Sequence, residues 1–123
     1  MALTTTPLGT TDFPDIIAKE TDTDEVGTAN IFDGAISLHS MVLDNSQNSG
    51  HNTFFKFYNA ASATAANSLP NLVIRVEQAV STTVIIADGL SFTTGVTIRA
   101  VKDEDDTNNV PPDSLAATLL VGS

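Results

Sequence analysis

The chain predicts an all-β fold: an antiparallel β-sandwich, or a small jelly-roll-like barrel, with an extended N-terminal arm. Three observations predict it. From residue 35 onward, apolar and polar residues alternate with a period of two in short runs rich in β-branched and aromatic side chains. Clusters of Asn, Asp, Ser, Gly and Pro separate those runs at the spacing expected of sandwich turns. No stretch beyond residue 35 keeps a helical apolar period. At 123 residues the chain suits a single domain able to bury a core without a disulfide or a structural metal.

Residues 1–34 are expected to form the arm, and residues 35–123 the β-sandwich domain. The first part is rich in Thr, Asp and Gly and holds seven acids: Asp12, Asp15, Glu20, Asp22, Asp24, Glu25 and Asp33. Such a stretch has little apolar area to offset the ~1–2 kcal/mol per residue lost on ordering a backbone. It should therefore be ordered only where something else supports it. Within it, Asp12 is placed to cap a short helix whose first turn holds Pro14. That helix would bring Phe13, Ile16 and Ile17 to one side at i, i+3 and i+4. The three form either a clip on their own domain or an apolar plug for a partner. Removing residues 1–34 is expected to leave the β domain folded.

The strands follow in order. Ala35–Leu43 sets Ile36, Leu38 and Val42 against Ser37 and His39, and Asp44–Gly50 is a loop by composition. Thr53–Tyr58 puts Phe55 and Phe57 on one face, with Phe54, Lys56 and Tyr58 on the other. Ala60–Ser68 is a loop of small residues. Leu72–Glu77 turns Leu72, Ile74 and Val76 inward. Thr82–Ala87 is a short run that Asp88–Gly89 should end, with Gly89 allowing the chain to reverse. Thr93–Val101 sets Val96, Ile98 and Ala100 against Thr97, Arg99 and Val101. An acidic loop, Asp103–Asp113, leads to the last strand, Leu115–Val121.

Charge and composition narrow the function. Five Lys and Arg against fifteen Asp and Glu give a net charge of −10, which opposes binding to nucleic acid or to an anionic membrane. Lys56, Arg75 and Arg99 share the outward phase, and with Lys19 and Lys102 they are expected to form ion pairs across strands or subunits. The absence of cysteine excludes thiolate metal sites, thiol catalysis and disulfides. No secretory leader is read at the N-terminus, and no apolar run approaches the ~18 residues of a membrane span. His39 and His51 are the only histidines, and neither stands in a nucleophile motif, so no enzyme and no catalytic residue is expected. Asp103–Asp106 and Asp22–Glu25 are oxygen-rich but lack the central glycine of a calcium loop, so no metal and no cofactor is expected.

The central stretch resembles small β-sandwich structural proteins of tailed bacteriophages. The resemblance rests on Val42–Ser46, on Asn52-Thr-Phe-Phe-Lys-Phe-Tyr-Asn-Ala60, on Leu69–Ile74 and on Gly89-Leu-Ser-Phe-Thr-Thr-Gly-Val96. Asp105–Thr107 and Leu119–Val121 complete it, so that it spans residues 36 to 121; Phe54 departs from the pattern's Tyr. It implies a virion component, first a capsid cement or decoration protein on the capsid surface with the major capsid protein as partner. It implies second a tail or fibre-associated protein, with carbohydrate binding at a receptor-binding tip as the competing class. A homotrimer is the assembly suited to local three-fold positions of a shell. Phe13, Ile16 and Ile17 are the candidate partner-binding residues.

Overall fold

A computed structural model describes residues 3–7, 16–62, 69–102 and 110–123. Eight strands and no helix occur among the described residues: β1 (Leu3–Pro7), β2 (Ile16–Glu20), β3 (Ile36–Asp44), β4 (Thr53–Asn59), β5 (Leu72–Val76), β6 (Ser81–Phe92), β7 (Val96–Val101) and β8 (Ala117–Gly122). They form two antiparallel sheets, a five-stranded one ordered β1-β2-β8-β3-β6 and a three-stranded one ordered β5-β4-β7. The all-β sandwich expected from the alternation is the fold observed.

The pleat explains the core. Leu38, Met41, Leu43, Ala18 and Leu120 face inward from the larger sheet. They meet Phe55, Phe57, Val76, Val96, Ile98 and Ala100 from the smaller one. Phe92 and Leu90 close the same cluster from β6. Complete burial of a Leu, Ile or Phe side chain contributes roughly 1.5–3 kcal/mol, so this interlayer cluster dominates the stability.

Asparagines do what regular ladders cannot at the two ends of the sandwich. Asn45, fully buried, directs Nδ2 to the carbonyls of His51, Val76 and Glu77 at 3.1–3.3 Å, and its Oδ1 accepts from Thr53 Oγ1 at 2.6 Å. Asn48 holds the approach to β8, accepting from Ser114 N at 2.7 Å and donating to Leu115 O at 3.3 Å. At the opposite end, Asn59 Oδ1 accepts from Thr94 N at 2.8 Å while its Nδ2 donates to Thr93 Oγ1 at 3.0 Å. The Lys-Phe-Tyr-Asn-Ala and Gly-Leu-Ser-Phe-Thr-Thr-Gly pieces are thus joined in space by one side chain.

Four expectations are corrected. First, residues 16–20 form strand β2 rather than the end of a helix, because pairing with β8 satisfies their backbone along its whole length. Second, β6 does not end at Asp88–Gly89 but runs on to Phe92. Between the pairs Leu38↔Leu90 and Ser40↔Ile85 the register shifts, so β6 absorbs the Asp88–Gly89 signal as a bulge. Gly89 has φ +76°, and a Cβ there would stand 3.1 Å from the His39 ring, so glycine answers both demands. Third, β7 starts at Val96, Thr93 and Thr94 being taken up by the Asn59 turn.

The fourth correction concerns the outward cations. Lys56 and Arg99 do share the outward phase, as paired neighbours on β4 and β7, but both are buried. The chain from residue 24 to residue 31 lies along the free edge of β7. Thr28 and Ile98 exchange backbone hydrogen bonds at 2.9 and 3.1 Å, Ala100 N donates to Asp24 O at 3.0 Å, and Ile31 N donates to Val96 O at 2.9 Å. Arg99 Nε donates to Glu25 O at 2.8 Å, and its Nη1 donates to Tyr58 OH at 3.3 Å. Gly27, at φ +89°, lets the backbone lie against the Arg99 stem, where a Cβ would come within 3.1 Å of Cγ.

Residues 16–34 therefore do not stand apart from the sandwich. Ala18, Ile31 and Phe32 belong to the core, and buried Glu20 accepts from Thr28 Oγ1 at 2.9 Å. Two outcomes follow for stability. A chain lacking residues 1–34 loses β1 and β2 of the five-stranded sheet and the cover of Arg99, so it is expected to give no cooperative thermal transition; a normal melt of residues 35–123 contradicts this. Asn45→Ala leaves three carbonyls and a hydroxyl without their buried partner and is expected to cost about 2–4 kcal/mol. Thermal melts should register that as a fall of roughly 10 °C.

Candidate interaction face

The strand geometry separates the candidate partner-binding residues. Because successive side chains on a strand point to opposite faces, Ile16 packs against the core while Ile17 lies on the outer face of the larger sheet. The pair expected on one side of a helix is split by the pleat. Phe13 lies outside the described residues.

Around Ile17 the outer face is apolar in two cross-strand rows. Ile17 pairs with Val121, which pairs with Ser40, which pairs with Ile85. One step along, Lys19 pairs with Leu119, Leu119 with Val42, and Val42 with Thr83. Ile17, Leu119, Val121 and Val42 are half-buried, and Ile85 is 76% exposed. A depression lies along the second row only, between Lys19, Val42, Asp44, Ala117 and Leu119. An apolar patch across β2, β8 and β3, with Ile85 of β6 set beyond Ser40, is the kind of surface that serves association. The phase expected of β3 is corrected here: Val42, read as in step with Ile36 and Leu38, is turned to the outer face because the register shifts between Leu38 and Ser40, and Met41 and Leu43, which blurred the alternation, take the core positions.

The remaining candidates for chemistry are pinning contacts. His39 Nε2 lies 2.6 Å from Ser123 Oγ, the one recorded Ser–His pairing among the described residues, but it sits exposed on the sheet with its ring against Gly89. His51 Nδ1 lies 2.8 Å from Asn52 O, which assigns the ring proton there and leaves Nε2 to accept from Asp113 N at 3.2 Å. Asp24 Oδ1 accepts from Val26 N and Glu20 Oε1 accepts from Asp22 N, each at 3.0 Å, so these acids shape their own turns. Among the described residues no group of three or more His, Asp or Glu is placed to hold a metal ion, and Asp103–Asp106 lie outside them. No helix among the described residues is long and apolar enough to cross a membrane. Comparison with family models, with curated proteins and with solved structures finds no match to this chain.

Two of the cations make exposed pairs. Arg75 Nη2 lies 3.6 Å from Glu77 Oε1, and Lys102 Nζ donates to Asp113 Oδ1. That hydrogen bond from Lys102, with the charge of Lys102, holds the Asp113 carboxyl below the ordinary carboxylate value. A depressed folded pKa stabilises the fold above the unfolded pKa of ~3.9, and the contribution is lost as pH falls through the lower folded value. Lys102→Met should therefore be less stable than the unmodified chain near neutrality, with the gap closing below about pH 3. Urea melts across that range check it; a gap of constant size contradicts it.

Proposed function

We propose that the chain is a virion structural protein, a capsid cement or decoration subunit that attaches to the major capsid protein through the outer face of its five-stranded sheet. The observation that carries this reading is the apolar patch of Ile17, Val121, Leu119 and Val42, laid across three strands of a chain with net charge −10. Acids elsewhere keep the surface soluble, and this face is left to exclude water against a partner. The resemblance of residues 36–121 to phage structural proteins supports the same direction. The motifs behind it act on the fold, through the Asn45 and Asn59 networks.

The geometry disfavours glycan recognition by stacking. Among the described residues no aromatic ring is exposed: Phe32, Phe55, Phe57, Tyr58 and Phe92 are buried and Phe54 is half-buried. Sugar-binding platforms need an aromatic face open to solvent.

The anchor of such a subunit is the sheet rather than a detachable N-terminal segment, since Ile17 is held in β2 between β1 and β8. Replacing Ile17, Leu119 and Val121 together by Thr keeps β-branched side chains on the strands and removes apolar area from the face. Co-sedimentation with shells lacking the protein should then show binding about 30- to 100-fold weaker, the loss expected for withdrawing two to three such contacts. A thermal melt within a few degrees of the unmodified chain completes the expected result. Undiminished saturation of shells by the triple variant overturns the reading.

A further inference from the structure

The larger sheet ends at β6, and no described strand pairs with its outer edge. Strand β6 is the longest of the fold, twelve residues from Ser81 to Phe92, and among the described strands it pairs only with β3. None of the recorded backbone hydrogen bonds outside the strand ladders involves residues 81–92 among the described residues. Alternate N–H and C=O groups of such a strand point away from the sheet and accept another strand. The usual deterrents are missing from its first half. Ser81–Ala87 (STTVIIA) carries no charge, no proline and no glycine, and it is built from β-branched residues. The protective features, Asp88 and the bulge at Gly89, come only afterwards. Ser81, Thr83, Ile85 and Ala87 are all exposed, Ile85 at 76%.

The other edges differ. β7 is lined by residues 24–31 through four backbone hydrogen bonds. β5 is only five residues long and presents Arg75. β1 is short, Thr-rich and ends in Pro7. Sealing is thus present at one edge and charge or brevity at two others, which leaves β6 as the open one.

We infer that β6 pairs with β6 of a second copy, antiparallel about a two-fold axis at Val84, joining the two five-stranded sheets into one of ten strands. A second copy supplies a strand that fits, since its own β6 is open and uncharged over the same residues. Two chains of net charge −10 repel over most of their surfaces, whereas the uncharged Ser81–Ala87 edge lets two copies approach. The pleat selects the axis, because opposed residues must lie on the same face. With Val84 on the axis, Thr83 faces the partner's Ile85 on the outer side and Thr82 faces the partner's Ile86 on the inner side. The uncharged run pairs along its whole length, Ser81 against the partner's Ala87. The two Asp88 residues then stand eight positions apart, roughly 27 Å at ~3.4 Å per residue. That exceeds the ~8–10 Å Debye length at moderate salt. Isologous pairing of one edge closes at two copies, so this contact gives a dimer where the sequence suggested a trimer.

The pairing does not depend on the proposed shell attachment, but it bears on it. Ile85 ends the row that begins at Ile17 and Thr83 ends the row that begins at Lys19, so a β6 pair would join each row of one copy to the other row of its partner on one side of the joined sheet. A second docked copy then holds the first near its site.

Sedimentation equilibrium of the full chain at 0.1 M salt, with charge-swap variants at the exposed positions, tests the inference. The unmodified chain is expected to be a dimer at micromolar concentration. Thr83→Lys with Ile85→Lys places like charges opposite each other and should weaken the dimer at least 100-fold, as should Thr83→Glu with Ile85→Glu. Mixing the two variants should restore a dimer, because opposite charges then face across the axis. Unchanged thermal melts identify the loss as one of association. Since the chain has no cysteine, Val84→Cys should also form a single intermolecular disulfide on mild oxidation. A monomer at 100 μM, a trimer, or a dimer indifferent to the charge pairs overturns the inference. Each of these leaves shell binding by the outer face to be decided by its own co-sedimentation assay.

Discussion

Two positive side chains on the wrong side of a sheet organise this molecule. Lys56 and Arg99 are cross-strand neighbours on the face of β4 and β7 that points away from the interlayer core, yet neither reaches water. Removing an ion from water costs several kcal/mol unless the fold returns hydrogen bonds and covers the site completely. For Arg99 the return comes from the Glu25 carbonyl and the Tyr58 hydroxyl, and the cover comes from the backbone at Gly27. The same segment hydrogen-bonds along β7, so a single passage of chain seals a sheet edge and houses a guanidinium. Residues 16–35 are arranged to make that passage possible: β2 adds to β8, Glu20 turns inward to receive the Thr28 hydroxyl, and Ile31 and Phe32 return the chain to the core.

This arrangement decides which surfaces remain for partners. The small sheet is covered on its outward side near Arg99, and its β7 edge is lined. The large sheet keeps an outward face with half-buried apolar residues, and its β6 edge has unclaimed backbone groups. Association through a face and association through an edge are physically different. The first depends on apolar area and shape, the second on main-chain hydrogen bonds and register. A chain that uses both can build an extended assembly from individually weak contacts.

Much of the fold was legible because period-two alternation is a local property. β3, β4, β5 and β8 fall within one or two residues of their expected spans, and the inward assignment of Phe55, Phe57, Ile98 and Ala100 is the observed one. What was not legible depended on distant chain. The phase of Lys56 and Arg99 was readable, but their burial required knowing that residues 24–31 would lie beside β7. Ile16 and Ile17 satisfy helical spacing and strand alternation equally in so short a segment, and only β8 decides between them. Asp88–Gly89 carries a turn signal that β6 spends on a bulge, since His39 and the β3 ladder hold the strand on course. The candidate face was legible only in part. Ile17 was read on a helix and Val42 in phase with Ile36 and Leu38, and only the strand register, with its shift between Leu38 and Ser40, places Ile17, Val121, Leu119 and Val42 in adjoining rows.

The measurement that addresses the central claim most directly is native-state amide hydrogen exchange at Ile98 and Ala100. Their amides point away from β4, and their acceptors are Thr28 O and Asp24 O. If the passage from residue 24 to residue 31 is integral to the fold, these amides exchange only through global unfolding, with protection equal to that of Phe55 and Phe57 in β4. Protection lower by several orders of magnitude at Ile98 and Ala100, with β4 unaffected, would mean that the segment opens independently and contradict the account.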